Sequence, residues 1–107
     1  MPYGSFLNNF PPAFFMVVHL LAFAIGAFFA YRAFGASAPA LGWGFALYAL
    51  AELCYMTYHL DWTVFLFSHT IAEVLDLGAI ILVFVGAFQH LGLGTRPRLH
   101  PAEEAGR

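Results

Sequence analysis

The sequence predicts an all-α integral membrane protein with three transmembrane helices, up-down-up, the N-terminus outside and the C-terminus cytoplasmic. Three observations carry this expectation: the composition, three long apolar runs, and the placement of the arginines. A soluble domain carries about 25% charged residues. This chain of 107 residues carries 9%, with 62% hydrophobic residues and a mean hydropathy of +0.77. It has room for one small domain. The net charge of −2 and the absence of lysine argue against a nucleic-acid partner. Cys54 is the single cysteine, so no internal disulfide can form and the redox compartment is left open. The N-terminal stretch MPYGSFLNNF has no basic residue, and the first apolar run is too long for the apolar region of a signal peptide, so no cleavable leader is expected.

The first helix is expected over about 11–34. Pro11 and Pro12 suit a first turn, whose N–H groups have no partner within the helix. Gly35 follows the last apolar residue as a C-cap, and GASAPALG reads as a short turn. The second helix is expected over about 41–60 and the third over about 64–91, each long enough to cross a hydrocarbon core. Only DWT, Asp61 to Thr63, separates them. One unbroken helix over both runs would be about 75 Å long, far beyond one bilayer, so the chain must turn there, with Asp61 as a turn or cap residue. Residues 1–91 thus form the transmembrane domain. Residues 92–107, polar and interrupted by proline, form a flexible cytoplasmic tail.

Arginine sets the orientation. Arg32 flanks the first connection, while Arg96, Arg98 and Arg107 follow the third helix; the N-terminus and the DWT junction carry no basic residue. With three spans both basic regions fall on one side, which should be cytoplasmic. Tyr31 and Trp43 then lie near the inner interface and Trp62 near the outer one. The expected location is a bacterial or archaeal inner membrane.

Within this apolar frame the segment HTIAEVLD, residues 69–76, places His69, Glu73 and Asp76 in two turns. Their i, i+4, i+7 spacing makes one helical stripe. Glu52, Tyr55 and His59 make a second stripe on the second helix, which Tyr48 extends inward. On the first helix His19 shares a face with Ala22, Gly26 and Ala30, a small-residue series that permits close helix approach. Counting about 1.5 Å per residue, His19, Glu52, His69 and Glu73 fall in one layer of the outer half, with Asp76 deeper.

Three unpaired carboxylates at that depth would cost on the order of 8–10 kcal/mol, comparable to the net stability of an ordinary domain. No lysine or arginine is near enough to pair them. Compensation must come from histidinium, protonation, water or a metal ion. Taken singly, His19 and His59 read as interface residues, Tyr55 and Tyr58 as packing or belt residues, and His90 and His100 as solvent-side groups. Taken together, the ionisable cluster points to function.

The expectation is a metal or redox-cofactor site with His19, Glu52, His59, His69 and Glu73 as the candidate ligands of a zinc, iron or manganese ion. Tyr55 and Asp76 complete the cofactor contacts. The inventory is like that of di-iron helix bundles, but their Glu-x-x-His spacing is missing. Haem b between His19 and His69, or a quinone, is an alternative, in an anchor or packing subunit of a respiratory or photosynthetic complex. A further alternative is an oligomeric proton or ion transporter, against which stands the apolar inner half of the third helix at Ile80, Val83 and Ala87. The expected partners are the lipid bilayer and other membrane subunits or further copies of the chain.

Overall fold

The computed structural model describes residues 3–91, so the tail and its three arginines lie outside the described residues. A short 3-10 helix, Ser5–Asn9, precedes three α-helices: α1, Pro12–Gly35; α2, Pro39–His59; and α3, Phe65–Leu91. No strand occurs among the described residues. The bounds fall within one or two residues of those expected. Pro12 opens α1. Pro39, which the sequence places in a turn, opens α2 in the same way, because a fixed φ and a missing N–H cost nothing at that position.

α1 packs on α2 and α2 on α3, while the Cα atoms of α1 and α3 stay more than 8 Å apart. The helices therefore form an open layer with α2 in the middle. α2 accordingly buries the most: Gly42, Gly44, Ala49, Ala51, Glu52 and Met56. α1 buries only Gly26 and Ala30, the small face expected for it. α3 buries Ser68, Ala72, Ala79 and Gly86. The largest fully buried side chain is Ser68, so this interior is not a packed apolar core in the manner of a soluble domain. It consists of backbones brought close by small residues, the packing mode of helices in lipid. A Cβ on Gly44 would stand 2.7 Å from a Val83 methyl and 3.1 Å from the Ala79 carbonyl oxygen, so α2 and α3 could not meet there with any other residue. Large apolar side chains such as Phe28, Leu66, Ile81 and Phe84 point outward. α1 and α3 are each long and apolar enough to cross a membrane.

Both interhelical turns close in the same way. After α1, Ser37 N–H donates to Phe34 O at 3.1 Å and Ala38 N–H to Ala33 O at 2.9 Å. After α2, Asp61 N–H donates to Tyr58 O at 3.0 Å and Trp62 N–H to Thr57 O at 2.9 Å. These are paired Schellman bonds, which normally place glycine in the left-handed region. Here Ser37 (φ 59) and Asp61 (φ 63) occupy it. The expectation that Gly35 caps α1 is therefore corrected: Gly35 is the last helical residue, and the left-handed turn comes two residues later. Asp61 takes the turn position expected of it. The Thr57 and Thr63 hydroxyls, 2.9 Å apart, tie the end of α2 to the approach to α3.

Candidate functional site

The turn at Asp61 brings the last two turns of α2 beside the first two of α3, and the first two of α1 lie against the other side of α2. The candidate residues His19, Glu52, Tyr55, His59, His69, Glu73 and Asp76 fall in this end of the layer. Glu52 sits on the face that α2 turns to α1, with 7% of its surface exposed. His19 Nδ1 lies 3.0 Å from Glu52 Oε1, a hydrogen bond that joins α1 to α2. On the other side, Tyr55 O–H donates to Glu73 Oε2 at 2.6 Å. The stripe on α3 thus meets α2 at Tyr55 and does not reach α1. Asp76 lies one turn deeper, close enough to Glu52 and Glu73 for their charges to act on it. Its Oδ1 is buried without a hydrogen-bond partner.

The rings around these carboxyls form a closed circuit. His59 stacks on His19 at 5.3 Å, His19 on Tyr55 at 5.1 Å, and Tyr55 meets His69 edge-on at 5.2 Å. His69 stacks on Phe65 at 4.3 Å, Phe65 meets Tyr58 at 5.4 Å, and Tyr58 returns to His59 at 5.0 Å. Phe15 lies parallel to His59 at 5.0 Å. All three helices contribute a histidine to the circuit. Offset or edge-on ring pairs contribute about 0.5–1.5 kcal/mol each beyond the area they bury, so the circuit holds the imidazoles in fixed orientations.

His19, Glu52, Tyr55, His59, His69, Glu73 and Asp76 are therefore neighbours, as the sequence led one to expect. Their donors are arranged in pairs: among the described residues no three of His, Cys, Asp and Glu gather around one point. The Tyr55 ring stands between His19 and His69, the pair considered as haem ligands. Three participants escaped the sequence reading. They are Phe15, which stacks on His59, and Thr57 and Thr63, whose hydroxyls meet. His90 lies at the far end of α3 and is exposed; His100 is outside the described residues.

Below the cluster, the gap between α1 and α3 opens as an apolar groove floored by α2. Gly26, Phe29, Phe45, Tyr48, Ile80 and Val83 are among its lining residues. The Tyr48 ring in this lining stands 2.8 Å from where a Cβ on Gly26 would lie. No protein family, curated protein or solved structure matches this chain.

Proposed function

We propose that the chain crosses the membrane three times, N-terminus outside, and binds a transition-metal ion through its histidines in the outer half of the bilayer, as a subunit of an oligomer or larger membrane complex. The observation that carries this reading is the bond between His19 Nδ1 and the buried carboxyl of Glu52. An ionised carboxylate only accepts, so with Glu52 charged Nδ1 carries the hydrogen, and in the neutral imidazole that a metal requires Nε2 keeps its lone pair. A carboxylate that orients a histidine in this way is the usual support of a metal ligand. This reading moves Glu52 from ligand to orienting group and leaves His19, His59 and His69 as the ligands, with Glu73 and Asp76 at hand. Imidazole-rich sets suit zinc or iron, and carboxylates favour manganese.

Closing a shell on one ion requires His59 and His69 to turn out of their ring stacks. That loses on the order of 1 kcal/mol per stack. Tight metal sites release roughly ten times as much, so the rearrangement is affordable in energetic terms. Support for a partner comes from Glu73, which is exposed on α3 at a depth where hydrocarbon would leave its free oxygen unsatisfied.

Metal analysis of the purified full chain tests the reading. We expect stoichiometric transition metal, lost in His19→Ala and His69→Ala and bound about 10–100-fold more weakly in Glu52→Gln. Ligating histidines must be neutral, so acidification through the ordinary histidine and glutamate ranges, roughly pH 6.5 to 4, should release the ion. Protein that retains only traces of added zinc, iron and manganese at neutral pH would overturn it.

A further inference from the structure

Helix α3 has two opposite faces. One is buried at Ser68, Ala72, Ala79 and Gly86, and α2 covers it. At about 100° per residue, Leu66, Thr70, Glu73, Leu77, Phe84 and Phe88 lie on the other, and all of them are exposed. Their steps of three, four and seven residues are those of a seam between two helices. Thr70 and Glu73 are the polar members of this line. They stand roughly 8 and 12 Å along α3 from Phe65 by the helical rise, a depth at which hydrocarbon offers no hydrogen bond. Tyr55 takes Glu73 Oε2. No described residue bonds to Oε1, and none receives the Thr70 hydroxyl. On α1, by contrast, the exposed residues from Pro12 to Phe29 are all apolar, and lipid tails suffice for them.

We propose that this face of α3 pairs with the same face of a second copy inserted the same way, Thr70 of each copy donating to Glu73 of the other. The proposal rests on the chain's crossing the membrane, and not on its binding a metal. A two-fold axis along the helices repeats every contact on both sides. Thr70 and Glu73 lie about 60° apart around α3, on opposite flanks of the line through Leu66, Leu77 and Phe84. The axis therefore sets the Glu73 flank of one copy against the Thr70 flank of the other. It also keeps the two carboxyls on opposite sides of the seam. Side chains on a helix tilt toward its N-terminus, so Glu73 leans back toward the level of Thr70. Each copy brings one donor and one free acceptor oxygen, and nothing is left over. Lipid tails bring no donor, and an unrelated subunit would have to bring its own while leaving Thr70 unused. The second copy thus completes the bonding of the carboxyl that holds Tyr55 in the ring circuit.

The test uses the full chain with Cys54→Ala and Ser37→Cys, treated with a chelator and carrying donor or acceptor dyes at position 37, in phosphatidylcholine vesicles. Resistance to alkaline extraction first establishes insertion. Energy transfer should then rise in proportion to the acceptor fraction, as it does for pairs, and fall as lipid is added. Thr70→Val keeps the shape and removes the donor, so association should weaken about tenfold for the two reciprocal bonds. Thr70→Ser keeps the hydroxyl and should associate as tightly as the unsubstituted chain. Leu77→Trp, in the middle of the seam, should also weaken pairing, whereas Leu20→Trp on the exposed face of α1 should not. Inserted chains that show no transfer at any dilution would overturn the pairing alone. So would association that Thr70→Val leaves unchanged, or that Thr70→Ser weakens as much as Thr70→Val does. Extraction by alkali would overturn the membrane reading and the pairing with it.

Discussion

Glu52 shows how far one residue governs this molecule. It is buried on a helix whose other buried residues are glycine, alanine and Met56, and His19 is its hydrogen-bond partner. Removing the histidine strands a buried carboxyl, while removing both groups strands nothing. In metal-free protein, His19→Ala should therefore destabilise by about 1–3 kcal/mol. Adding the apolar Glu52→Leu to it should recover most of that loss, as measured by reversible unfolding in mixed micelles. Simple addition of the two single effects would show that the pair is not coupled. Spacing made the participants legible in the sequence, because each stripe repeats at helical intervals. The pairing was not legible. Whether Glu73 meets Glu52 or Tyr55 depends on how far α3 slides along α2, and that is fixed by contacts such as Gly44 against Val83, which no single-helix pattern encodes. Phe15 escaped for the same reason: nothing within α1 distinguishes the phenylalanine that stacks on His59 from those that face outward.

At the scale of the elements, the apolar runs made the helices legible to within one or two residues. The turns were harder, because glycine is the usual mark of a left-handed cap and neither turn uses it there. Gly35 drew the expectation two residues too early. The chain instead holds Ser37 and Asp61 at positive φ, a conformation that disfavours a Cβ by roughly 1–2 kcal/mol. Asp61→Gly should remove that strain at some expense in unfolded-state entropy, for a net stabilisation of about 0.5–1 kcal/mol. Asp61→Val should destabilise, since a β-branched residue tolerates this region least. Thermal unfolding in detergent distinguishes the two. If glycine and valine behaved alike, the turn would owe its shape to the Thr57–Thr63 contact instead of to the backbone at position 61.

The molecule as a whole is asymmetric along its helices. One end of the layer holds the carboxyls and the imidazole circuit, bounded by the Asp61 turn. The other holds Arg32, which lies over the Phe28 ring at 5.8 Å, together with the exposed Tyr31 and Trp43. Which end faces the cytoplasm decides what the polar layer can exchange ions, protons or ligands with. Basic residues are retained on the cytoplasmic side of short connections, so the Ser37 turn, five residues from Arg32, should lie inside and the Asp61 turn outside. Cys54 must first be replaced, by Cys54→Ala, to remove the native thiol. In that background, a membrane-impermeant maleimide applied to intact cells should label Asp61→Cys and spare Ser37→Cys until the membrane is opened. Both turn residues are exposed, so failure to label reflects the side of the membrane and not burial in the protein. The opposite pattern would place the histidine–carboxylate layer within about 10 Å of the cytoplasmic surface, by the rise of 1.5 Å per residue. Any ion held there would then be drawn from the cytoplasm. Labelling of both positions from outside would mean that α2 does not cross the bilayer, and the polar layer would have to be reread as a surface feature shielded by α1 and α3.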